Sequence, residues 1–101
     1  MRVLLHITFP HDQFNAAARE GTVAGKMQRI LAELKPEAVY FTEYCGKRTA
    51  LVITDLPSPS QIPALAEPWF LQFGADVEIH PVMLPEDLAK AGLDALGKKW
   101  G

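Results

Sequence analysis

The first nine residues constrain the fold most. Val3, Leu5, Ile7 and Phe9 alternate with Leu4, His6 and Thr8, and a two-residue period is that of a strand whose side chains point to opposite faces. One face is wholly apolar and must lie against a core. The other mixes leucine, histidine and threonine. Pro10 ends the strand. A lone strand is not stable, so the rest of the chain must supply its neighbours and the cover for its dry face.

Further along, the spacing predicts a long helix, with Asp12 as a candidate N-cap and an end at about Leu34. Its apolar stripe is Phe14, Ala17, Ala24, Met27, Leu31 and Leu34, close to the helical period. Within it Gly21 and Gly25 are four apart. Each costs roughly 1 kcal/mol against alanine in a helix interior, so close packing on the sheet, or room for a ligand, is expected there. Lys35-Pro36 breaks the helix. Ala38 to Tyr44 reads as a second strand, rich in aromatic and β-branched residues. A tight turn at Cys45-Gly46-Lys47 leads into a third, Arg48 to Thr54, and the two form a hairpin.

Asp55 to Pro59 is a connector. Ser60 is a candidate cap for a second helix from about Gln61, with Pro63 tolerated in its first turn. Pro68 is expected to kink or split it, and Gly74 to stop it. Asp76 to Leu84 reads as a fourth strand, Val77 and Ile79 alternating with Glu78 and His80. Pro81 within it favours an edge position. Pro85-Glu86-Asp87 opens a third helix ending near Gly97, with Trp100 beyond.

The order strand, helix, strand, strand, helix, strand predicts an α+β, ferredoxin-like βαββαβ domain spanning residues 1–101. It has a four-stranded antiparallel sheet, helices on one face and an extra C-terminal helix. Right-handed crossovers put the first and last strands side by side, with the third strand on the other side of the first. The open face then carries Leu4, Tyr40 and Val82 and calls for a partner. A chain of 101 residues buries only about two thirds of its unfolded surface, so a homodimer would help it.

Composition narrows the partners. The net charge is −2 and the basic residues are scattered, against the concentrated basic face that nucleic acid requires. The sheet of an RNA-binding ferredoxin-like domain also needs aromatics on its central strands, and Arg48 to Thr54 has none. The apolar run from Val3 to Phe9 is too short for a signal peptide or a membrane span. The single cysteine, Cys45, allows no internal disulfide and suits a reducing compartment. A cytoplasmic protein with no membrane or nucleic-acid partner is expected.

From Gly25-Lys26-Met27 through Lys35-Pro36-Glu37 onward, the chain resembles small uncharacterised members of the dimeric α+β barrel superfamily. Ala66-Glu67-Pro68-Trp69-Phe70, Val77-Glu78-Ile79-His80-Pro81-Val82-Met83 and Pro85-Glu86-Asp87-Leu88 carry the likeness. The resemblance implies two subunits packing their open sheet faces around a cavity. Members of that superfamily include quinol-type monooxygenases, heme-degrading enzymes, muconolactone isomerases and chlorite dismutase-like heme proteins. None of their motifs is matched residue by residue, so the resemblance assigns no catalytic residue and no cofactor.

His6 and His80 are the candidate catalytic pair, because they sit on strands expected to be neighbours and histidine can serve as both acid and base. The alternative is two histidines hydrogen-bonded at a subunit interface. Thr8, Tyr40, Thr42, Glu78 and Trp69 are candidate ligand-binding residues. The tyrosines could orient a ligand through their hydroxyls, or simply pack with each hydroxyl at the rim. With Glu78, the two histidines have the ligand types of zinc or iron, but no dense ligand cluster surrounds them and no metal is assigned. Trp69, Phe70 and Phe73 read as core or as a pocket wall. There is no phosphate loop or nucleophile elbow. The expectation is a homodimeric barrel that binds a small, largely apolar molecule, held between sheet and helices or in a cavity between the sheet faces. A cofactor-free monooxygenase- or isomerase-like enzyme using His6 and His80 is the second reading. An interaction module without a ligand is the third.

Overall fold

The computed structural model describes all 101 residues. In chain order these form β1 (Arg2–Thr8), α1 (His11–Glu20), α2 (Val23–Leu34), β2 (Ala38–Tyr44) and β3 (Lys47–Asp55). A 3-10 turn (Pro59–Gln61), α3 (Ile62–Phe73), β4 (Asp76–Pro81), α4 (Pro85–Lys90) and α5 (Leu93–Trp100) follow. The strands make one antiparallel sheet in the order β2-β3-β1-β4. β1 therefore lies between β3 and β4, and Pro81 ends an edge strand, where a missing N–H is tolerated. The four-stranded sheet and five helices define an α+β class consistent with a ferredoxin-like fold.

The dry face of β1 does what its alternation requires. Val3, Leu5 and Ile7 are fully buried and pair in register with Thr54, Val52 and Ala50 of β3. Ile30 of α2 and Leu65, Trp69 and Phe73 of α3 close over them. Phe9 meets Phe73 and Phe14 edge to face, with ring centroids 5.1 and 5.2 Å apart, a geometry that adds to area burial alone. The buried hydroxyl of Thr54 donates to the carbonyl of Leu34 at 3.3 Å, which satisfies it and ties β3 to the end of α2.

Two expected helices are each two helices. The first breaks at Gly21, whose φ of 74° is left-handed. There Thr22 N–H donates to the carbonyl of Ala17 and Gly21 N–H to that of Ala18, the paired bonds of a Schellman end. Gly21 is thus a terminator. Gly25, in α2, is exposed, and a Cβ on it would meet nothing within 4 Å. Neither close packing nor a lined space offsets its cost, against the expectation. The C-terminal helix breaks at Gly92, which is also left-handed with φ 71°; there the last bond is from Ala91 N–H to the carbonyl of Leu88. The element order is accordingly β-α-α-β-β-α-β-α-α.

Of the kink or split expected at Pro68, the split does not occur. The proline sits inside α3, which runs unbroken from Ile62 to Phe73. An interior proline costs about 3 kcal/mol, but Leu65, Ala66, Trp69 and Phe73 of this helix are all buried. Burial of several large side chains at roughly 1.5–3 kcal/mol each outweighs the lost bond. The expected caps are also absent. α1 follows directly on Pro10 with no side-chain cap, and Asp12 sits in its first turn. Ser60 lies in the 3-10 turn, and α3 starts after Gln61 with no side-chain cap. β3 is one residue longer at each end than expected, and β4 stops at Pro81 instead of Leu84.

Candidate functional site

The strand registers lay the open face out in rows. One row reads Ala38, Ile53, Leu4, His80 across β2-β3-β1-β4. The next reads Tyr40, Leu51, His6, Glu78, and the third Thr42, Thr49, Thr8, Asp76. The face therefore has two zones. Ala38, Tyr40, Leu51, Ile53 and Leu4 form an apolar patch over β2, β3 and β1. His6, Glu78, His80 and the threonines form a polar zone along β1, β4 and the far end.

His6 and Glu78 are direct cross-strand partners, whereas His80 stands opposite Leu4 and diagonal to His6. Glu78 Oε1 lies 2.9 Å from His80 Nε2, so these two are joined along the edge strand. Both are more than half exposed. His6 differs. Its Nδ1 is buried and has no hydrogen-bond partner. The Tyr44 ring meets the imidazole edge-on with centroids 4.9 Å apart. In the register, Thr49 lies between the strands that carry these two rings. Tyr44 thus arches over β3, which accounts for Thr49 being 1% exposed on an open face. Sequence reasoning placed Tyr44 on this face but missed its contact with His6, because a diagonal reach across two strands leaves no mark in a linear pattern.

The structure brings His6, His80, Glu78, Thr8, Tyr40 and Thr42 onto one face. Trp69 stands apart. It is fully buried on the helix side of the sheet, in the cluster with Phe9 and Phe73, and its Nε1 has no partner. No group of three or more His, Cys, Asp or Glu side chains is arranged to hold a metal ion, so His6, Glu78 and His80 do not converge as a ligand triad.

A second concavity of about 510 Å³ opens between α1, α2 and the hairpin, lined by Phe9, Phe14, Val23, Met27 and Phe41 with Arg48 at its rim. Arg48 already donates to Asn15 Oδ1 at 2.8 Å and lies 4.5 Å above the Phe14 ring. This space is apolar with its one charged group engaged, so it lacks the converging free polar groups of a specific ligand site.

No protein-family model and no curated protein matches this chain. No helix is long and apolar enough to cross a membrane.

Proposed function

We propose that this protein binds a small, largely apolar molecule as a homodimer, in a cavity formed where two open sheet faces come together. The observation that carries this reading is His6: a buried ring nitrogen with no partner, on a face otherwise turned outward. A buried polar atom without a partner costs about 1–3 kcal/mol. A ligand hydroxyl or carbonyl bonded to Nδ1 would remove that cost. Leu4 and Leu51 beside it would hold the apolar body of the ligand, and Thr8, Thr42 and Glu78 its polar groups. The ferredoxin-like strand order and the resemblance to dimeric α+β barrels support the pairing of faces.

The test is to release and quantify small molecules that copurify with the protein, comparing wild type with His6→Ala. Loss of the bound molecule in the variant supports the reading. Equal retention by a variant lacking both His6 and His80 removes it.

A second reading, acid–base catalysis of the monooxygenase or isomerase type in the same cavity, is favoured by the contact between Glu78 and His80. A carboxylate bonded to one imidazole nitrogen orients the ring and fixes its tautomer. Turnover of the copurifying molecule that His80→Gln abolishes while binding persists would support it. Binding without turnover would leave simple binding.

A further inference from the structure

From Met83 to Gly101 every residue is exposed. Met83, Leu84, Leu88, Leu93, Leu96 and Trp100 are 43–77% exposed, in a segment where apolar side chains would ordinarily find cover. Leu93, Leu96 and Trp100 follow the i, i+3, i+7 spacing of a single helical stripe. The elbow at Gly92 opens a notch of about 420 Å³ between α4 and α5, lined by Leu88, Ala89 and Leu93. The last bond between this arm and the sheet is from Val82 N–H to the carbonyl of Arg2. Pro81 and Pro85 bracket the short linker that contains this bond, and Leu84 before Pro85 is extended, with ψ 161°, as a residue preceding proline is biased to be.

The arm makes the molecule too large for a finished monomer. Its radius of gyration is 16.9 Å, against about 13 Å for a compact chain of this length. Its accessible surface is 6938 Å², where a compact monomer of 11.2 kDa exposes about 5,700 Å². The excess is roughly 1,200 Å² for each chain, more than the 800 Å² or so that each partner contributes to a standard stable interface. The same chain has a second uncovered surface, the apolar patch of Leu4, Ala38, Tyr40, Leu51 and Ile53 on the open face. The arm's last turn carries Lys98 and Lys99, and the same open face carries Asp76 and Glu78 on β4, opposite Thr8 and His6 and across β1 from the β3 part of the patch.

We infer that the arm of each subunit docks on the open sheet face of a second copy of this chain, laying Leu93, Leu96 and Trp100 on the apolar patch. This rests on the homodimer of the proposed function and goes further: the exchanged arm covers the outer part of the patch, at Ala38, Tyr40 and Ile53, and Leu4 and Leu51 stay with the polar zone around His6 as the lining of the cavity.

The test uses the full chain. Leu93 and Leu96 touch nothing in their own core, so Leu93→Glu/Leu96→Glu leaves the subunit fold intact, which circular dichroism checks. Sedimentation equilibrium of the wild type and this variant then reads the dimer dissociation constant. A loss of tenfold or more in the variant is expected. An unchanged dimer overturns the arm exchange and leaves the homodimer standing, whereas a wild type monomeric at all concentrations removes both. To locate the arm, Cys45→Ser proteins carrying either Tyr40→Cys or Leu96→Cys are mixed, equilibrated and oxidised. The expected product is the mixed disulfide between the two. Only like-with-like products, or none, overturn docking of the arm on the sheet face.

Discussion

The Tyr44 ring meets the His6 imidazole edge-on, with centroids 4.9 Å apart, across the strand that lies between them. That contact gives the open face relief: one end of it is roofed by an aromatic ring, with Thr49 sealed beneath. It also sets a half-exposed tyrosine ring against the imidazole whose Nδ1 is buried. The contact brings the hairpin end of β2 to the candidate site alongside the β1–β4 pair.

This contact predicts that Tyr44→Ala shifts the ring-proton resonances of His6 in an NMR spectrum, through loss of the ring current. Tyr40→Ala, on the same strand but without such a contact, leaves them nearly in place. Equal effects from both substitutions would contradict the geometry.

Trp69 supplies a prediction about the core. Its indole N–H is buried without a partner, so the nitrogen adds nothing while the rings fill space among Phe9, Leu65 and Phe73. Trp69→Phe removes the unbonded donor and keeps much of the packing, and should cost about 1 kcal/mol or less, since the two effects oppose. Trp69→Ala should cost about 3–5 kcal/mol. Urea unfolding of the two variants measures both. A large loss in Trp69→Phe would mean that the N–H is bonded.

The two glycines of the first helical region should respond with opposite sign. Gly25→Ala places a methyl in open space on a helix surface and should stabilise by about 1 kcal/mol. Gly21→Ala forces a side chain into a left-handed φ of 74° and should destabilise by about 1 kcal/mol. Thermal unfolding distinguishes them.

The hairpin turn makes a further case. Cys45 and Gly46 both have positive φ, 52° and 77°, the two-residue turn that suits the twist of a hairpin. Gly46 N–H also donates to Glu43 Oε2 at 3.0 Å. Cysteine is a poor residue at the first position and asparagine a good one. Cys45→Asn should therefore raise the melting temperature by a few degrees, the shift expected of a gain of about 1 kcal/mol. A lowered midpoint would mean that the thiol makes a contact that asparagine cannot replace.

Much of this fold was legible because its signals are local and strong. The alternation in β1, the glycine turn at Cys45-Gly46 and the proline-bounded connectors place all four strands. The topology follows from crossover handedness. What misled was the reading of single residues whose role depends on context. Gly21 reads as a costly interior glycine but terminates a helix through a left-handed conformation, as Gly92 does within the segment expected to be one C-terminal helix. Pro68 looks like a break but is held in a helix by four buried neighbours. For the candidate site, the face shared by His6, Glu78 and His80 could be read from period two, but their register could not. The placement of Glu78, and not His80, opposite His6 is set by where β4 begins to pair. Trp69 was read as core or as a pocket wall, and its burial with Phe9 and Phe73 on the helix side of the sheet puts it away from the face that His6 shares.

Native mass spectrometry of gently purified protein reads assembly and ligand together. The expected result is a species of twice 11.2 kDa carrying additional small-molecule mass, and loss of that additional mass in His6→Ala while the dimer remains. A species of 11.2 kDa with no added mass, across the accessible concentration range, would contradict it, since neither a second sheet face nor a ligand would then be present to complete the site at His6.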